Sequence, residues 1–240
     1  MSGRLVILGM GPGDPELMTL KAARLLGEAD VVAFFAKRGQ TGHARRIAGD
    51  RTRAGTEELR FDYPFTTEVP VEHPHYATEL AACYDAAADA IGARLARGCL
   101  VALLCEGDPF FYGSAMYLFD RLAPRHATEI VPGVTGMSAC WTQAASPIAH
   151  GDDVLTVLPG TLDEGALAER LGACDAAVIM KVGRNLGKIR AAAERAGVLA
   201  RAIYVERGSM AGERIVPLAE AAEAAPYFSI VLIPGRQRAR

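Results

Sequence analysis

An apolar run followed by an acidic, glycine-containing turn constrains the fold of this 240-residue chain more than any other feature. The run, residues 99–105, has the composition of a strand that is buried on both faces, which is typical of a parallel sheet. Directly after it come Glu106-Gly107-Asp108-Pro109-Phe110-Phe111-Tyr112. Open α/β sheets bind ligands in crevices at the carboxyl ends of their strands. The sequence therefore predicts a ligand loop at this turn, which we call the acidic loop (residues 106–112).

The chemistry of the acidic loop indicates the kind of ligand that it would bind. A phosphate favours bare backbone amides and positive charge, whereas this loop carries two carboxylates, Glu106 and Asp108. Gly107 would let a ligand approach the backbone closely, and the aromatic side chains that follow, Tyr112 among them, would line the site. A ligand that combines a cation with an aromatic base fits this pattern.

Strand and helix patterns alternate along the first half of the chain, as they do in parallel α/β domains. The second half predicts a mixed sheet, with strands near 129–131, 154–158, 176–181, 202–206 and 227–233 and helices near 138–145, 164–171, 186–196 and 218–224. The segment 123–125 is the predicted boundary. We therefore expect an α/β fold of two domains, 1–124 with a parallel sheet and 125–240 with a mixed sheet.

Composition and charge limit the classes of function. Half of the residues are hydrophobic and the formal net charge is −2, which disfavours a nucleic-acid partner. No apolar run approaches the ~20 residues that a membrane-spanning helix needs. The five cysteines show no Cys-x-x-Cys spacing and are expected to be free thiols in the cytoplasm. No Cys, Asp or third His lies at ligand spacing from the pair His73 and His75, so no metal site is predicted.

The first glycine loop, Gly9-Met10-Gly11-Pro12-Gly13-Asp14, leaves several interpretations open. Lys37 and Arg38, after the second strand, would suit an NADP-binding oxidoreductase. Against it, Asp14 stands where a dinucleotide fingerprint has its third glycine, and its charge would repel a pyrophosphate. Pro12 also lacks an amide that could donate to phosphate. A purely structural turn is the second alternative, and we favour a loop that faces a ligand other than phosphate.

A second strand-to-helix crossing follows at residues 131–138. Gly133 and Gly136 permit close approach there, and the Thr135 hydroxyl could either cap the helix or bind a ligand. The stretch 37–53 is strongly basic, and either a solvated surface or a site for a polyanionic partner would explain it.

Four segments in this order resemble the tetrapyrrole (precorrin) methylase family: 9–22, 107–113, 131–135 and 204–208. The resemblance implies two α/β domains, with S-adenosylmethionine bound in the cleft between them and S-adenosylhomocysteine as a product, and it implies a homodimer. It assigns cofactor contacts to Pro12, Gly107, Asp108, Phe111, Thr135, Gly136, Val182 and Gly208. The chemistry of the acidic loop adds Glu106 and Tyr112 to this set.

Segments 34–39 and 42–47 resemble those of family members that methylate precorrin-2 at carbon 20, giving precorrin-3A in cobalamin biosynthesis. The carboxylate arms of that tetrapyrrole would be held by basic side chains, namely Lys37, Arg38, Arg45 and Arg46. Tyr112 and Glu106 are candidates, by location, for the base that removes a proton. Relatives that act on uroporphyrinogen tend to carry an aspartate where this chain has Phe35, so their scheme is not transferred. Cobalt-loaded precorrin-2, another ring carbon and a non-catalytic S-adenosylmethionine-binding module remain alternatives.

Overall fold

A computed structural model describes residues 3–65 and 75–235 of the chain. The protein divides into two compact units, of which the first ends at Thr135 and the second begins at Gly136. The first unit therefore extends beyond the predicted boundary after residue 124. The reason is that the strand Ala127–Val131, which the sequence placed in the second domain, pairs with the first sheet.

The first unit is built on a parallel sheet, as predicted. Its strands are β1 (Arg4–Gly9), β2 (Val31–Ala36), β3 (Glu57–Asp62), β4 (Leu100–Cys105) and β5 (Ala127–Val131). They lie in the order β3-β2-β4-β1-β5, and every neighbouring pair is parallel. Because β1 lies between β4 and β5, the loops after these three strands come together at one edge of the sheet.

Helices cover both faces of this sheet and bury its apolar runs. They are α1 (Leu20–Glu28), α2 (His43–Ala48), α3 (Tyr76–Ala96) and α4 (Ala115–Leu122). Alternate residues of β1 pack on opposite sides, with Val6 and Leu8 in the core beneath α1 and α2, and Leu5 and Ile7 in the core beneath α3 and α4. Burial on both faces explains why these strands are continuous apolar runs.

The strand β3 has no counterpart in the sequence analysis. Its sequence, Glu-Glu-Leu-Arg-Phe-Asp, carries four charged residues because it forms the edge of the sheet. Charged side chains on an edge strand discourage pairing with another chain. A strand with this many charged residues does not stand out in the sequence as an apolar run.

The second unit is built on a mixed sheet, also as predicted. Its strands are β6 (Leu155–Pro159), β7 (Ala176–Met180), β8 (Ile203–Glu206), β9 (Arg214–Pro217) and β10 (Ser229–Ile233), and its helices are α5 (Gly136–Gln143), α6 (Glu164–Ala173) and α7 (Leu186–Arg195). The strand order is β6-β7-β10-β8-β9, with β6 and β7 parallel and the other pairs antiparallel. The short strand β9 is a second element that the sequence analysis missed.

The predicted helix at 218–224 is wrong, because only a 3₁₀ turn forms there, at Leu218–Glu220. Its backbone carbonyls are bonded elsewhere: Arg190 donates to the Leu218 carbonyl at 3.3 Å and to the Ala221 carbonyl at 2.6 Å. Tertiary hydrogen bonds thus override the helix propensity of this alanine-rich segment.

Three glycines bring the loops after β1, β4 and β5 into direct backbone contact. A Cβ atom on Gly133 would overlap the Gly107 carbonyl oxygen and lie 2.9 Å from Gly9 Cα, and one on Gly9 would lie 2.5 Å from Gly133 N. Gly107 also exchanges two backbone hydrogen bonds with Gly11, at 2.8 and 3.4 Å, and has a φ of 63°. We call this arrangement of Gly9, Gly107 and Gly133 the glycine crossing. No larger residue fits at Gly9 or Gly133, because real Cβ atoms do not approach other atoms so closely.

The substitution Gly133→Ala is expected to lower the free energy of unfolding by about 3 kcal/mol, since the new methyl group meets backbone atoms that cannot move aside. Gly92→Ala, in the middle of α3, is the matched control, because the nearest atom to its Cβ lies at 3.7 Å. That control should stabilise the protein by roughly 0.5–1 kcal/mol. Urea denaturation measures both changes. Equal midpoints for the two variants would contradict the tight crossing.

Candidate cofactor and substrate site

The first glycine loop leads into a capped 3₁₀ turn rather than into an α-helix. The Asp14 carboxylate accepts a hydrogen bond from Glu16 N–H at 2.8 Å and so caps the turn Pro15–Leu17. The helix α1 begins only after Thr19, whose hydroxyl oxygen accepts a hydrogen bond from Ala22 N–H at 3.2 Å. A dinucleotide fingerprint needs a helix N-terminus directly at its glycine loop. This geometry therefore disfavours the NADP alternative, and it gives Asp14 a structural role.

Asp108 fastens the acidic loop to the second crossing. Its Oδ1 accepts a hydrogen bond from Phe110 N–H at 2.9 Å, and its Oδ2 accepts one from Gly133 N–H at 3.1 Å. A carboxylate has about four acceptor sites, so these two bonds leave capacity for a ligand. Asp108 thus supports the glycine crossing from one side and can still accept hydrogen bonds from a bound molecule.

Glu106 connects the acidic loop with α2. Burial raises the pKa of its carboxyl to about 7 from the ordinary 4.5, although a hydrogen bond from Ala44 N–H and the charge of Arg46 oppose that change. Glu106 continues the alternation of β4, in which Leu104 packs toward α1 and α2 and Cys105 toward α3 and α4. The carboxyl therefore lies beside the basic stretch, and it can gain or lose a proton near neutral pH.

The aromatic residues of the acidic loop include one strained position. Tyr112 has a φ of 56°, which is unfavourable for any residue except glycine, and its side chain is 44% exposed. Its ring meets that of Phe111 edge-on, with the centroids 5.0 Å apart. Phe110 is also exposed and packs against Phe119 at 5.0 Å. Strained backbone of this kind concentrates at functional sites.

Phe35 belongs to an aromatic cluster that the sequence analysis did not foresee. Its ring stacks on Tyr63 with the centroids 4.9 Å apart and meets Tyr84 edge-on at 5.6 Å. The Tyr63 hydroxyl donates to the Ser114 hydroxyl oxygen at 2.7 Å, which links the end of β3 with the start of α4. This packing gives Phe35 a structural role, and it agrees with leaving the aspartate-based scheme aside.

Two predicted cofactor residues of the second unit lie in tight turns after strands. Val182 follows β7 and is fully buried, next to Lys181 with a φ of 57°. Gly208 follows β8, and a Cβ atom on it would lie 2.7 Å from Cys140 Sγ. Its neighbours Arg207 and Ser209 have φ values of 50° and 63°. The turn after β8 is therefore held in an unfavourable conformation on both sides of Gly208.

Four other predicted cofactor residues have less distinctive surroundings. Pro12 is buried within the first glycine loop, and Phe111 and Thr135 are half-buried. Gly136 opens α5, and a Cβ atom on it would lie 3.9 Å from Ile230 Cδ1, so space alone does not require glycine.

Only some residues of the basic stretch (residues 37–53) line a common groove. Arg45 and Arg46 of α2 line a groove on the first unit together with Arg60 of β3, which the sequence analysis did not consider. Lys37 and Arg38 are exposed in the turn after β2 and do not line that groove.

The described residues contain free thiols, but no group of side chains that could hold a metal ion and no membrane-spanning helix. All five cysteines are free, and burial raises the pKa of Cys105 and Cys140 to about 12. Within residues 3–65 and 75–235, no group of three or more His, Cys, Asp or Glu side chains could hold a metal ion. His73 lies outside these ranges. No helix in the described part of the chain is long and apolar enough to cross a membrane.

Comparisons with known proteins show which proteins the chain is similar to. The family described as Tetrapyrrole (Corrin/Porphyrin) Methylases matches residues 4–223. A precorrin-2 C(20)-methyltransferase from a Sinorhizobium species is 52% identical and covers 97% of this chain and 96% of its own length. A cobalt-precorrin-2 C(20)-methyltransferase from Salmonella typhimurium is 30% identical and covers 97% of both chains.

One similar solved structure contains S-adenosylhomocysteine, the product that the predicted cofactor would give. It is a uroporphyrin-III C-methyl transferase from Thermus thermophilus in complex with S-adenosylhomocysteine. It is similar to this chain with a TM-score of 0.65 and 26% identity, over 96% of this chain and 97% of its own.

Glu106→Gln tests the environment of the acidic loop through the pH dependence of stability. Because the folded-state pKa lies above the ordinary value, Glu106 stabilises the fold below about pH 4.5, and this contribution is lost as the pH rises through about 7. The stability of wild type relative to Glu106→Gln should therefore fall by roughly 2–3 kcal/mol across that window. Urea titrations at several pH values measure it, with the exposed Glu223→Gln as control. Parallel curves for wild type and Glu106→Gln would contradict the assignment.

Proposed function

The chain belongs to the tetrapyrrole methylase family, and from this premise we propose that it transfers a methyl group from S-adenosylmethionine to carbon 20 of precorrin-2, giving precorrin-3A in cobalamin biosynthesis. The observation that carries the proposal is the 52% identity with the Sinorhizobium relative over nearly the whole of both chains. Cobalt-loaded precorrin-2 is a second candidate substrate, because the Salmonella relative also matches along its length, at 30% identity. The higher identity favours the metal-free substrate.

The loops of the first unit fit S-adenosylmethionine better than a phosphate-bearing cofactor. The glycine crossing packs three backbone segments against one another, which fixes the position of the acidic loop beside the end of β1. Asp108 offers acceptor sites, and the acidic loop contains no positive charge that would repel a sulfonium. We assign cofactor contacts to the residues implied by the resemblance: Pro12, Gly107, Asp108, Phe111, Thr135, Gly136, Val182 and Gly208.

Methyl transfer to carbon requires little covalent chemistry from the protein. The bound cofactor supplies a methyl group on a sulfonium. A bond forms between that methyl group and the electron-rich meso carbon of the substrate, while the S–CH₃ bond breaks and its electron pair stays on sulfur. The chain positions the reacting atoms and excludes water, and positioning alone can lower a barrier by roughly 7–11 kcal/mol.

The methylated carbon must finally lose a proton. Glu106, with a pKa of about 7, and the exposed Tyr112 are the groups of the acidic loop that we propose as acceptors. We also propose that the protein acts in the cytoplasm, which its free thiols support, and as the homodimer that the family resemblance implies.

Asp108→Ala tests the cofactor role of the acidic loop. The change removes a ligand acceptor and also the bond to Gly133 N–H, so we expect the Kd of S-adenosylhomocysteine to rise at least tenfold, or about 1.4 kcal/mol. Isothermal titration calorimetry measures this, with Asp120→Ala on the exposed face of α4 as a control that keeps the wild-type Kd. An unchanged Kd in Asp108→Ala would contradict the assignment of the acidic loop to the cofactor site.

Mass spectrometry of the tetrapyrrole tests the function itself. We expect metal-free precorrin-2, incubated with the protein and methyl-labelled S-adenosylmethionine, to gain one labelled methyl group, which NMR then locates at carbon 20. A parallel incubation uses cobalt-loaded substrate. Labelling only in the cobalt reaction would support cobalt-loaded precorrin-2 as the substrate. Labelling in neither reaction would overturn both candidate substrates.

A further inference from the structure

We propose that the groove between α2 and β3 binds one carboxylate arm of the tetrapyrrole, and that Arg60 is a determinant of substrate affinity in it. This inference rests on the proposed function and identifies where part of the substrate would be held. The groove has a volume of about 420 Å³, and its wall carries three arginines, Arg45, Arg46 and Arg60, together with Thr41 and Glu58 beside Phe34.

Strand register explains why Arg60 faces this groove. In the pairing of β2 with β3, Arg60 is the partner of Phe34, so the two side chains lie on the same face of the sheet. Phe34 packs in the core beneath α2, together with Ala44 and Ile47. Arg60 is therefore directed to the α2 side although it lies outside the basic stretch.

The three guanidinium groups are held to different degrees. Arg60 donates to Asp62 at 2.8 Å and to the Lys37 carbonyl oxygen at 3.2 Å through Nε and Nη2, which leaves the donors of its Nη1 for a ligand. Arg46 makes, among the described residues, a single hydrogen bond of 3.3 Å to the Thr41 carbonyl and no ion pair. A guanidinium has five N–H donors in a planar fork, so Arg46 keeps the capacity for a bidentate bond to a carboxylate.

Glu58 shows that a carboxylate fits this groove. Its Oε1 accepts a hydrogen bond from Arg45 Nε at 2.7 Å, while Arg45 Nη1 donates to the Gly49 carbonyl at 2.8 Å. Among the residues that line the groove, three guanidinium groups face one carboxylate, that of Glu58, so the lining itself carries net positive charge for an incoming anion. Asp62 pairs with Arg60, and Glu106 interacts with Arg46, from outside the lining. Glu58 would compete with that anion for Arg45.

The groove is also electrostatically connected to the acidic loop. Arg46 lies on its wall, and the charge of the same residue acts on the Glu106 carboxyl at the end of β4. A carboxylate arm at Arg46 would therefore be held near the loop that we assign to the cofactor, within the first unit. Lys37 and Arg38, which the sequence analysis assigned to the substrate, are not part of the groove.

Substitution of the groove residues tests the proposal through two readouts. The first is the fluorescence-detected Kd of uroporphyrin, a stable tetrapyrrole with carboxylate arms, and the second is the KM for precorrin-2 in methyl transfer. We expect Arg60→Ala and Arg46→Ala to raise both constants about tenfold, with kcat of Arg60→Ala within twofold of wild type. Glu58→Gln should lower them, because it frees Arg45. Arg24→Ala, which loses only an exposed ion pair with Glu28 on α1, is the matched control and should change neither.

The outcomes distinguish failure of the groove proposal from failure of the proposed function. If Arg60→Ala and Arg46→Ala stay within twofold of wild type in both constants, the groove is not the site of the arm. A wild-type protein that binds uroporphyrin without methylating precorrin-2 would overturn the proposed function, while the variants still decide the groove. If the wild-type protein does not bind the porphyrin, the KM values decide in the same way, and failure of both readouts overturns both proposals.

Discussion

The close approach of three backbones at the glycine crossing is the constraint on which the site depends. Gly9 is the last residue of β1, Gly107 and Gly133 belong to the loops that follow β4 and β5, and the parallel sheet brings all three to the same edge. Since no side chain fits between them, their positions are fixed by main-chain geometry. Asp108 adds a hydrogen bond from Gly133 N–H to its carboxylate, which connects the acidic loop with the segment that follows β5.

The acidic residues near this crossing are bonded to backbone amides of the protein. Asp14 caps a 3₁₀ turn, Asp108 bonds two amides, and Glu106 accepts a bond from the start of α2. Their negative charge is therefore partly compensated before any ligand arrives. Because a carboxylate has more acceptor sites than these bonds use, a structural role and a binding role are compatible for Asp108.

The buried strands could be predicted from the sequence, whereas an exposed edge strand was missed. Strands such as β1 and β4 are continuous apolar runs because helices cover both faces, whereas β3 is an edge strand with alternating charges. Missing β3 also meant missing Arg60, whose place in the groove follows from pairing register and not from local pattern. The assignment of β5 to the wrong unit has a similar cause, since no local signal tells a strand which sheet it joins. The acidic loop could be proposed as a ligand site from the sequence because its charged and aromatic residues are concentrated in one short segment.

The glycine crossing has a consequence for biosynthesis of the protein on the ribosome. Gly9 and Gly107 can meet Gly133 only after β5 has paired with β1, and β5 is the last strand of its sheet to be translated. Such distant contacts form late, because closing a long loop is entropically unfavourable. A nascent chain that stops short of β5 would lack one wall of the crossing. If the cofactor binds as proposed, the first unit's part of its site is complete only when β5 has joined the sheet, so a ligand that binds there would stabilise only chains that have completed their sheet.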